Sequence, residues 1–588
     1  MPEQPGKTAK VLKFPTASTS RPTTTTGSRP VASASRPLDA VPAMASILEP
    51  SSLDEKVQSS PSRGGSRLRL TTGSSAASQH AYRATQKRLI ELWDGLDPTQ
   101  ASAACSVIVP SLSFDQEALA SISGLFSYEE RLLCHLMRLR DPRARVVYVT
   151  SQPVDEGLIE HYLASMVGVE DVSDRLLLLC VRDSTIRPLT EKILARPRLI
   201  TRIREWVGER EPAYLTCFDT TDLERRLAIE LGIPVMGVDQ EAQRFGGKSG
   251  SREVFAEAGV AHPRGFTNLR TRGDLIDALA RLARPDLDAA VIKLDESFGG
   301  LGNVVFDVPT MAARDFDQRR STIRRRFATS TTWPTPDRSI GHFLRKLDRM
   351  GGVVEEMVGR ADVNRAASVQ MRITPSGDIE VLSSHDQIVG GPTGQMYLGC
   401  RFPADETYRD QIVESARAIA EVLCDRGVIG CFGIDFVVAP QATKGEAETW
   451  SCWAIEINLR MGGTTTPFLV LQALTGGTLD ETGRFVTSRG RHRSYTSTDS
   501  LASASYRELV VEDVIEILES HGLHYDPATE TGVFPHMLGA VSEFGRVGIT
   551  CIAEDRGAAD ELYRRTVAIL DHETGASTQS RQVVERLG

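Results

Sequence analysis

The stretch WAIEINLRMGG (453–463) places Glu456, Asn458 and Arg460 at every second position, with Ile455, Ile457 and Leu459 between them. On an extended strand alternate side chains face opposite ways. The three polar groups are therefore expected to share one face while the aliphatic set anchors the other in a core. An exposed strand gives the same alternation, so the pattern needs support from elsewhere. GCFGIDFVVAP (430–440) supplies it, with Asp435 a single acid among Phe432, Ile434, Phe436 and Val437. Such an acid is costly to bury unless it is paired or bound to a metal. Asp435, Glu456 and Asn458 together offer the hard oxygen ligands that Mg²⁺ prefers. Arg460, one step further along that face, can offset the charge of a transferring phosphoryl group.

Other stretches could face the phosphates. AAVIKLDESFGGLGNVVF (289–306) reads as a strand carrying Lys293, a loop with Ser297, Gly299, Gly300 and Gly302, and a returning strand. Glycine lets backbone N–H groups approach phosphate oxygens closely, and the strand lysine adds a point charge. FGGKSG (245–250) ends like a Walker A loop, but Ala242 stands where that motif needs glycine, so the P-loop reading fails. What remains there is Lys248 ahead of a helical run, SREVFAEAG. GGVVEEMVGRADV (351–363) reads as an extended piece whose backbone at Glu355, Glu356, Met357 and Val358 could hold adenine. SVQMRITPSGDIEVLSSHDQIVGG (368–391) reads as a hairpin with Ser368, Gln370 and Arg372 on one face. Arg372 could meet a phosphate or a substrate carboxylate, or simply lie on an exposed sheet. His385, Asp386 and Gln387 could line a substrate pocket.

Several elements must hold these residues in place. From 81 to 245, β-rich runs such as CSVIVPSL, RVVYVTS and RLLLLCVR alternate with helical ones, which argues for a parallel sheet flanked by helices. The turns at its strand ends (SQP, RDST, FDTTD) are where ligands approach such sheets. Residues 246–475 carry most of the chemistry. Residues 476–588 begin with a polar, Ser-rich lead-in (TSRGRHRSYTSTDSLASAS) and read as a small α+β domain. Residues 1–80 are dominated by Ser, Thr, Pro, Ala and Gly and are expected to be disordered. A transit peptide is the competing reading of that tail, opposed by its prolines and by Glu3, Asp39, Glu49, Asp54 and Glu55.

Composition narrows the classes. A chain of 588 residues exceeds one ordinary core. Its net charge of -9 argues against a protein built to coat nucleic acid. No apolar run reaches the roughly 18 residues of a membrane span. Its nine cysteines include no C-x-x-C pair, which fits a reducing cytoplasm.

The order of these parts resembles the ATP-grasp superfamily. It runs from a lysine before a helix through a strand lysine with a Gly-rich loop and an E-E-M-V hinge to a strand acid and E-x-N-x-R. The resemblance implies ATP and Mg²⁺, with Lys248, Lys293 and the Ser297–Gly302 loop (Gly299, Gly300 and Gly302) on the nucleotide phosphates. It implies Glu355–Val358 at adenine, Asp435, Glu456 and Asn458 on the metal, and Arg460, with Arg372 as a second candidate, at the reacting group. RDPRARVVYVTSQPVDEGLIEHYL, HDQIVGG and GVFPHMLGAVSEFGRVGIT (532–550) look more narrowly like the peptide ligases related to that of pheganomycin biosynthesis. That implies a Rossmann-like pre-ATP-grasp domain, an ATP-grasp fold of two α+β subdomains and a small α+β C-terminal domain. It also implies a carboxylic acid or amino acid joined to an amine or peptide through an acyl phosphate. A phosphotransferase on the same fold and a non-catalytic ATP-binding regulator stay open. No nucleic-acid or membrane partner is expected, and a homo-oligomer is left open.

Arg187 and Lys192, in STIRPLTEKIL, are expected to be solvated at a helix start, and His536 to be a packed histidine.

Overall fold

A computed structural model describes residues 76–93, 104–114, 116–120, 122–165, 172–208, 212–297, 302–309, 315–333, 340–359, 363–390, 394–441 and 449–575. The Ser/Thr-rich tail lies outside them up to residue 75, and residues 76–80 open the helix Ala76–Trp93. Gly299 and Gly300 also lie outside the described residues.

The first sheet contains β1 (Cys105–Val109), β2 (Arg145–Thr150), β3 (Leu176–Cys180), β4 (Ala213–Cys217) and β5 (Val235–Met236), all parallel, in the order β3-β2-β1-β4-β5. Every residue of β1 and of β4 is buried, as central strands covered on both faces require. After β4, Thr221 and Glu224 form a capping box that starts the helix Asp222–Leu231. This is the parallel sheet expected from the alternation of runs, in the Rossmann-like form that the family resemblance implies.

A second sheet, β6 (Gly265–Leu269), β7 (Ala289–Leu294), β8 (Asn303–Asp307), β9 (Thr331–Thr332) and β10 (Gly352–Glu356), runs in the order β6-β10-β7-β8-β9. The paired strands whose register is resolved here are antiparallel, with Lys293 between Val353 and Asn303. Helices Arg272–Leu282, Phe316–Arg326 and Ile340–Met350 close a core around Leu275, Ile292, Phe306 and Leu347.

The third sheet is the largest. It takes in β11 (Arg365–Ile373), β12 (Ile379–Gly390), β13 (Met396–Phe402), β14 (Gly430–Gln441) and β15 (Thr449–Asn458). It then continues through β16 (Thr478–Leu479), β17 (Phe485–Val486) and β18 (His492–Ala502), with β19 (Gly532–His536) and β20 (Arg546–Ala553) joined to it. The helix Glu406–Asp425 covers β11 and β12, burying Ile412, Ile419 and Leu423. Hydrogen bonding is continuous across residue 475, because β13 pairs with β18 through Cys400 and Ser497. The Ser-rich lead-in expected there is thus mostly a buried strand, whose hydroxyls are bonded. Ser497 Oγ donates to Ile549 O at 3.1 Å, and Thr498 Oγ1 and Thr496 Oγ1 donate to Leu398 O and Asp560. Small hydroxyl side chains satisfied inside a sheet look the same in sequence as a loop.

One buried cluster joins Leu132, Leu136, Tyr148 and Leu158 to Val514, Phe534, Ile549 and Tyr563. The early part of the chain and its last hundred residues therefore share a core. At their junction the 3₁₀ helix Leu125–Arg140 presents Glu130, which accepts the Gly539 N–H at 3.1 Å. A Cβ at position 539 would lie 2.0 Å from the Glu130 Oε1, so a larger residue there would displace the Glu130 carboxyl. Lys192, expected in solvent, is fully buried, with its Nζ donating to Ser151 Oγ at 3.0 Å and Asp183 O at 2.8 Å. Arg187 is partly exposed and pairs with Asp183 and Glu191. His536 is a packed histidine, within 3.1 Å of Thr550 Oγ1. Among the described residues no helix is long and apolar enough to cross a membrane.

Burial pushes the Glu130 carboxyl from its ordinary 4.5 up to about 8, against the Gly539 amide. An acid whose pKa rises on folding contributes stability that is full below 4.5 and is lost as pH rises through about 8. Glu130→Gln stays neutral throughout. The stability of the wild type relative to Glu130→Gln should therefore fall between those limits, by up to about 1.4 kcal/mol per pH unit. Paired urea titrations at several pH values would measure it, and a constant difference would refute it.

Candidate active site

β14 and β15 lie side by side with Asp435 opposite Glu456 and Gly433 opposite Asn458, so both carboxylates come to one place. The register slips at a β-bulge between Asp435 and Phe436, whose partners are Glu456 and Ala454. Ile455 is the residue left over. The expectation that it anchors the core is therefore corrected: Ala454, Ile457 and Leu459 enter the core, and Ile455 lines the cavity beside Glu456. Asp435 accepts from Gln387 Nε2 at 2.8 Å and from Asn458 Nδ2 at 2.9 Å. Glu456 meets Lys248 Nζ at 3.0 Å. Burial, with the Glu456 charge adding to it, pushes the Asp435 carboxyl up to about 7.

These groups open on a cavity of about 660 Å³ between the second and third sheets. Asp435, Glu456, Asn458, Arg460 and Lys293 all line it. On its far wall Lys293 Nζ lies 2.6 Å from Glu355 Oε2, and Arg252 Nη1 lies 2.7 Å from Glu355 Oε1. Burial drives the Glu355 carboxyl upward, but these two cations together hold it below the usual carboxylate range. Glu355, Glu356, Met357 and Val358 all line the cavity. So does Ser297, whose buried hydroxyl has no partner. A Cβ on Gly302 would sit 2.3 Å from the Ser297 Cβ, which explains the glycine at that turn.

The cavity does not gather every expected residue. Lys248 is buried behind Glu456 and is not part of the cavity wall. Arg372 shares a face with Gln370 as expected, but it is held by Glu380 and lies 5.4 Å from the Trp93 ring centre, outside this cavity. His385 is fully buried against Tyr495, 2.7 Å from its hydroxyl, and burial lowers its pKa to about 3. Asp386 accepts from the Tyr408 hydroxyl at 2.7 Å and pairs with Arg556. Of that segment only Gln387 reaches the cavity.

Sequence reasoning did not single out Arg131, Phe218 and Tyr397 on the opposite wall. Arg131 pairs with Asp499, 368 positions away, and no local pattern shows that contact. Phe218 does lie in the FDTTD turn at a strand end.

Three stretches of the chain match described families: the pre ATP-grasp domain over 130–233, the IQCH-like ATP-grasp over 240–337 and 338–482, and the PGM1 C-terminal domain over 513–566. Over 476 residues the chain is 32% identical to L-propargylglycine--L-glutamate ligase of Streptantibioticus cattleyicolor, covering 79% of this chain and 93% of that protein. This chain belongs to the ATP-grasp ligases. The ligase is also 24% identical over 421 residues to IQ motif-containing protein H of Danio rerio, matching 63% of its own length and 39% of that protein. Biotin carboxylase from Campylobacter jejuni superposes with a TM-score of 0.45 at 15% identity, covering 80% of this chain and 95% of that one. At that score the likeness supports nothing further here. As a member of the family, the ligase binds ATP and forms C–N bonds with release of ADP.

The two cation sites differ in what they hold. Lys293→Met leaves buried Glu355 with Arg252 alone and should cost about 3 kcal/mol of stability. Arg372→Met frees only the partly exposed Glu380 and should cost about 1 kcal/mol or less. Denaturant titration of the two variants would compare them, and equal losses would contradict this account.

Proposed function

We propose that the ligase joins the carboxylate of one amino acid to an amino group of another amino acid or peptide, with Mg·ATP as the activating substrate. One observation carries this reading: Asp435, Glu456, Asn458, Arg460 and Lys293 converge on one cavity large enough for a nucleotide and a small acid. The activity that names the 32% identical relative, on L-propargylglycine and L-glutamate, supports the substrate class and makes L-glutamate the first acid to try.

The donor set suits Mg²⁺. Among the described residues no three His, Cys, Asp or Glu side chains cluster to hold a metal by themselves. Two carboxylates and an amide oxygen leave positions that phosphates and water would complete, as Mg²⁺ requires. Asp435 pushed up to about 7 also marks a carboxylate whose negative charge lacks sufficient compensation. When bound, Mg²⁺ neutralises and orients phosphate oxygens.

The chain's own residues would do the rest. Lys293 places positive charge on the nucleotide wall. Arg460 faces the metal end and would stabilise charge on the acyl carbon's oxygen as the amine attacks. The Ser297 hydroxyl has no base bonded to it, so it is not set up as an activated nucleophile. That favours direct attack of the substrate carboxylate on the γ-phosphate, giving an acyl phosphate that the amine then opens.

Phosphorus NMR with Mg·ATP and a pool of amino acids and short peptides tests this. ADP and inorganic phosphate should appear only when both an acid and an amine are present, and EDTA should stop their formation. Arg460→Ala should lower kcat by about 100- to 1,000-fold, and Lys293→Met should raise the KM for ATP by about 10-fold or more. A new phosphoester signal would mean a phosphotransferase instead, and AMP with pyrophosphate would exclude the acyl-phosphate route.

A further inference from the structure

A second cavity of about 60 Å³ adjoins the first, and Phe218, Gln370, Arg460 and Met461 line both. Asp219, just past the end of β4, is only 8% exposed in its wall, and its Oδ1 has no hydrogen-bond partner. Thr216, Ser383 and His135 border the same space, and their hydroxyls and ring nitrogens are likewise buried without partners. Buried polar atoms are nearly always paired. Four such side chains around one small void mark a place shaped for a polar guest, and its volume suits one small polar group.

The charges indicate which group. Glu224, the acid whose charge acts on Asp219, is already bonded, accepting from Ser113 Oγ at 2.6 Å, Thr221 N at 2.8 Å and Thr221 Oγ1 at 2.6 Å. Arg372 in this wall is paired with Glu380, and burial with nearby Arg138 holds His135 well below its ordinary pKa, hence neutral. What remains is the Asp219 carboxylate, with the Arg460 guanidinium in the same wall. The complement to that set is an ammonium and a carboxylate on one carbon.

We infer that this cavity seats the amino-acid head group of the acyl-donating substrate, with the Asp219 carboxylate as counter-charge to the ammonium that is not acylated. The inference rests on the amino-acid ligation proposed above. From that seat the substrate extends past Arg460 into the main cavity, where the carboxylate to be activated meets Asp435 and Glu456. With the seat empty, burial and then the Glu224 charge push the Asp219 carboxyl up to about 8, while Arg460 draws it back. A bound ammonium would relieve that cost. Asp219 on this account binds substrate and takes no part in the chemical step.

The test compares L-glutamate with glutarate, which lacks only the ammonium, in ADP release by the full chain with the amine pool. The wild type should show a KM for L-glutamate about 10- to 100-fold below that for glutarate. Asp219→Asn should raise the L-glutamate KM by a similar factor, close the gap, and leave the KM for ATP within about 2-fold. Its melting temperature should not fall, since the isosteric amide keeps an oxygen for the Ser113 N–H and takes away a carboxyl whose charged form burial disfavours; a merely structural aspartate would lower it. Discrimination between the two acids that persists in Asp219→Asn overturns the seat while leaving the ligation intact. A wild type that releases no ADP with any acid and amine overturns the ligation reading itself, and the wild-type comparison needs no variant.

Discussion

The contact between Lys248 and Glu456 ties the start of the helix Lys248–Glu257 to a strand of the largest sheet. It does so beside a second acid that has no such cation of its own. Two carboxylates set opposite each other on neighbouring strands repel, and burial raises the cost of charging them. Lys248 offsets one, amide donors from Gln387 and Asn458 soften the other, and Arg460 acts on Asp435 from beyond. The rest of the architecture can be understood as what holds these charges at their spacing. The β14–β15 ladder fixes the two acids, and the helix Lys248–Glu257 brings its lysine under Glu456. The second sheet sets Lys293 across the gap, itself held by Glu355 and Arg252.

Arg460 occupies the pivotal place in this arrangement. It borders both cavities and acts on Asp435 in one and Asp219 in the other. A single guanidinium shared between two compartments lets each depend on how the other is filled.

Much of this was legible in the sequence, because isolated acids in apolar strands and lysines beside glycine turns have a physical cost that implies a partner. Asp435, Glu456, Asn458, Arg460 and Lys293 declared themselves in that way. Ile455 misled because a one-residue bulge shifts the strand's period without changing any residue type. Lys192 misled because its buried partners, Ser151 and the Asp183 carbonyl, come from separate turns. His385 and Arg372 have site-like chemistry, yet Tyr495 and Glu380 hold them, and those contacts form only in the assembled sheet. β18 read only as a polar, Ser-rich lead-in because its Ser and Thr side chains are satisfied across the sheet rather than along the chain. In each case the missing information was a contact between separate strands or turns.

The pairing of Arg131 with Asp499, and the core shared by Leu132 and Tyr563, carry a consequence for how the molecule is made. One face of the first sheet shares its core with residues that leave the ribosome several hundred positions later. The early segments must wait with apolar surface uncovered, or covered by something else, until the last helix, Arg556–Glu573, has been synthesised. Arg131, in the wall of the main cavity, is held by an acid from beyond residue 490, so that wall reaches its final form near the end of synthesis. Nascent chains of this ligase are thus incomplete at the active site until almost the whole described fold exists.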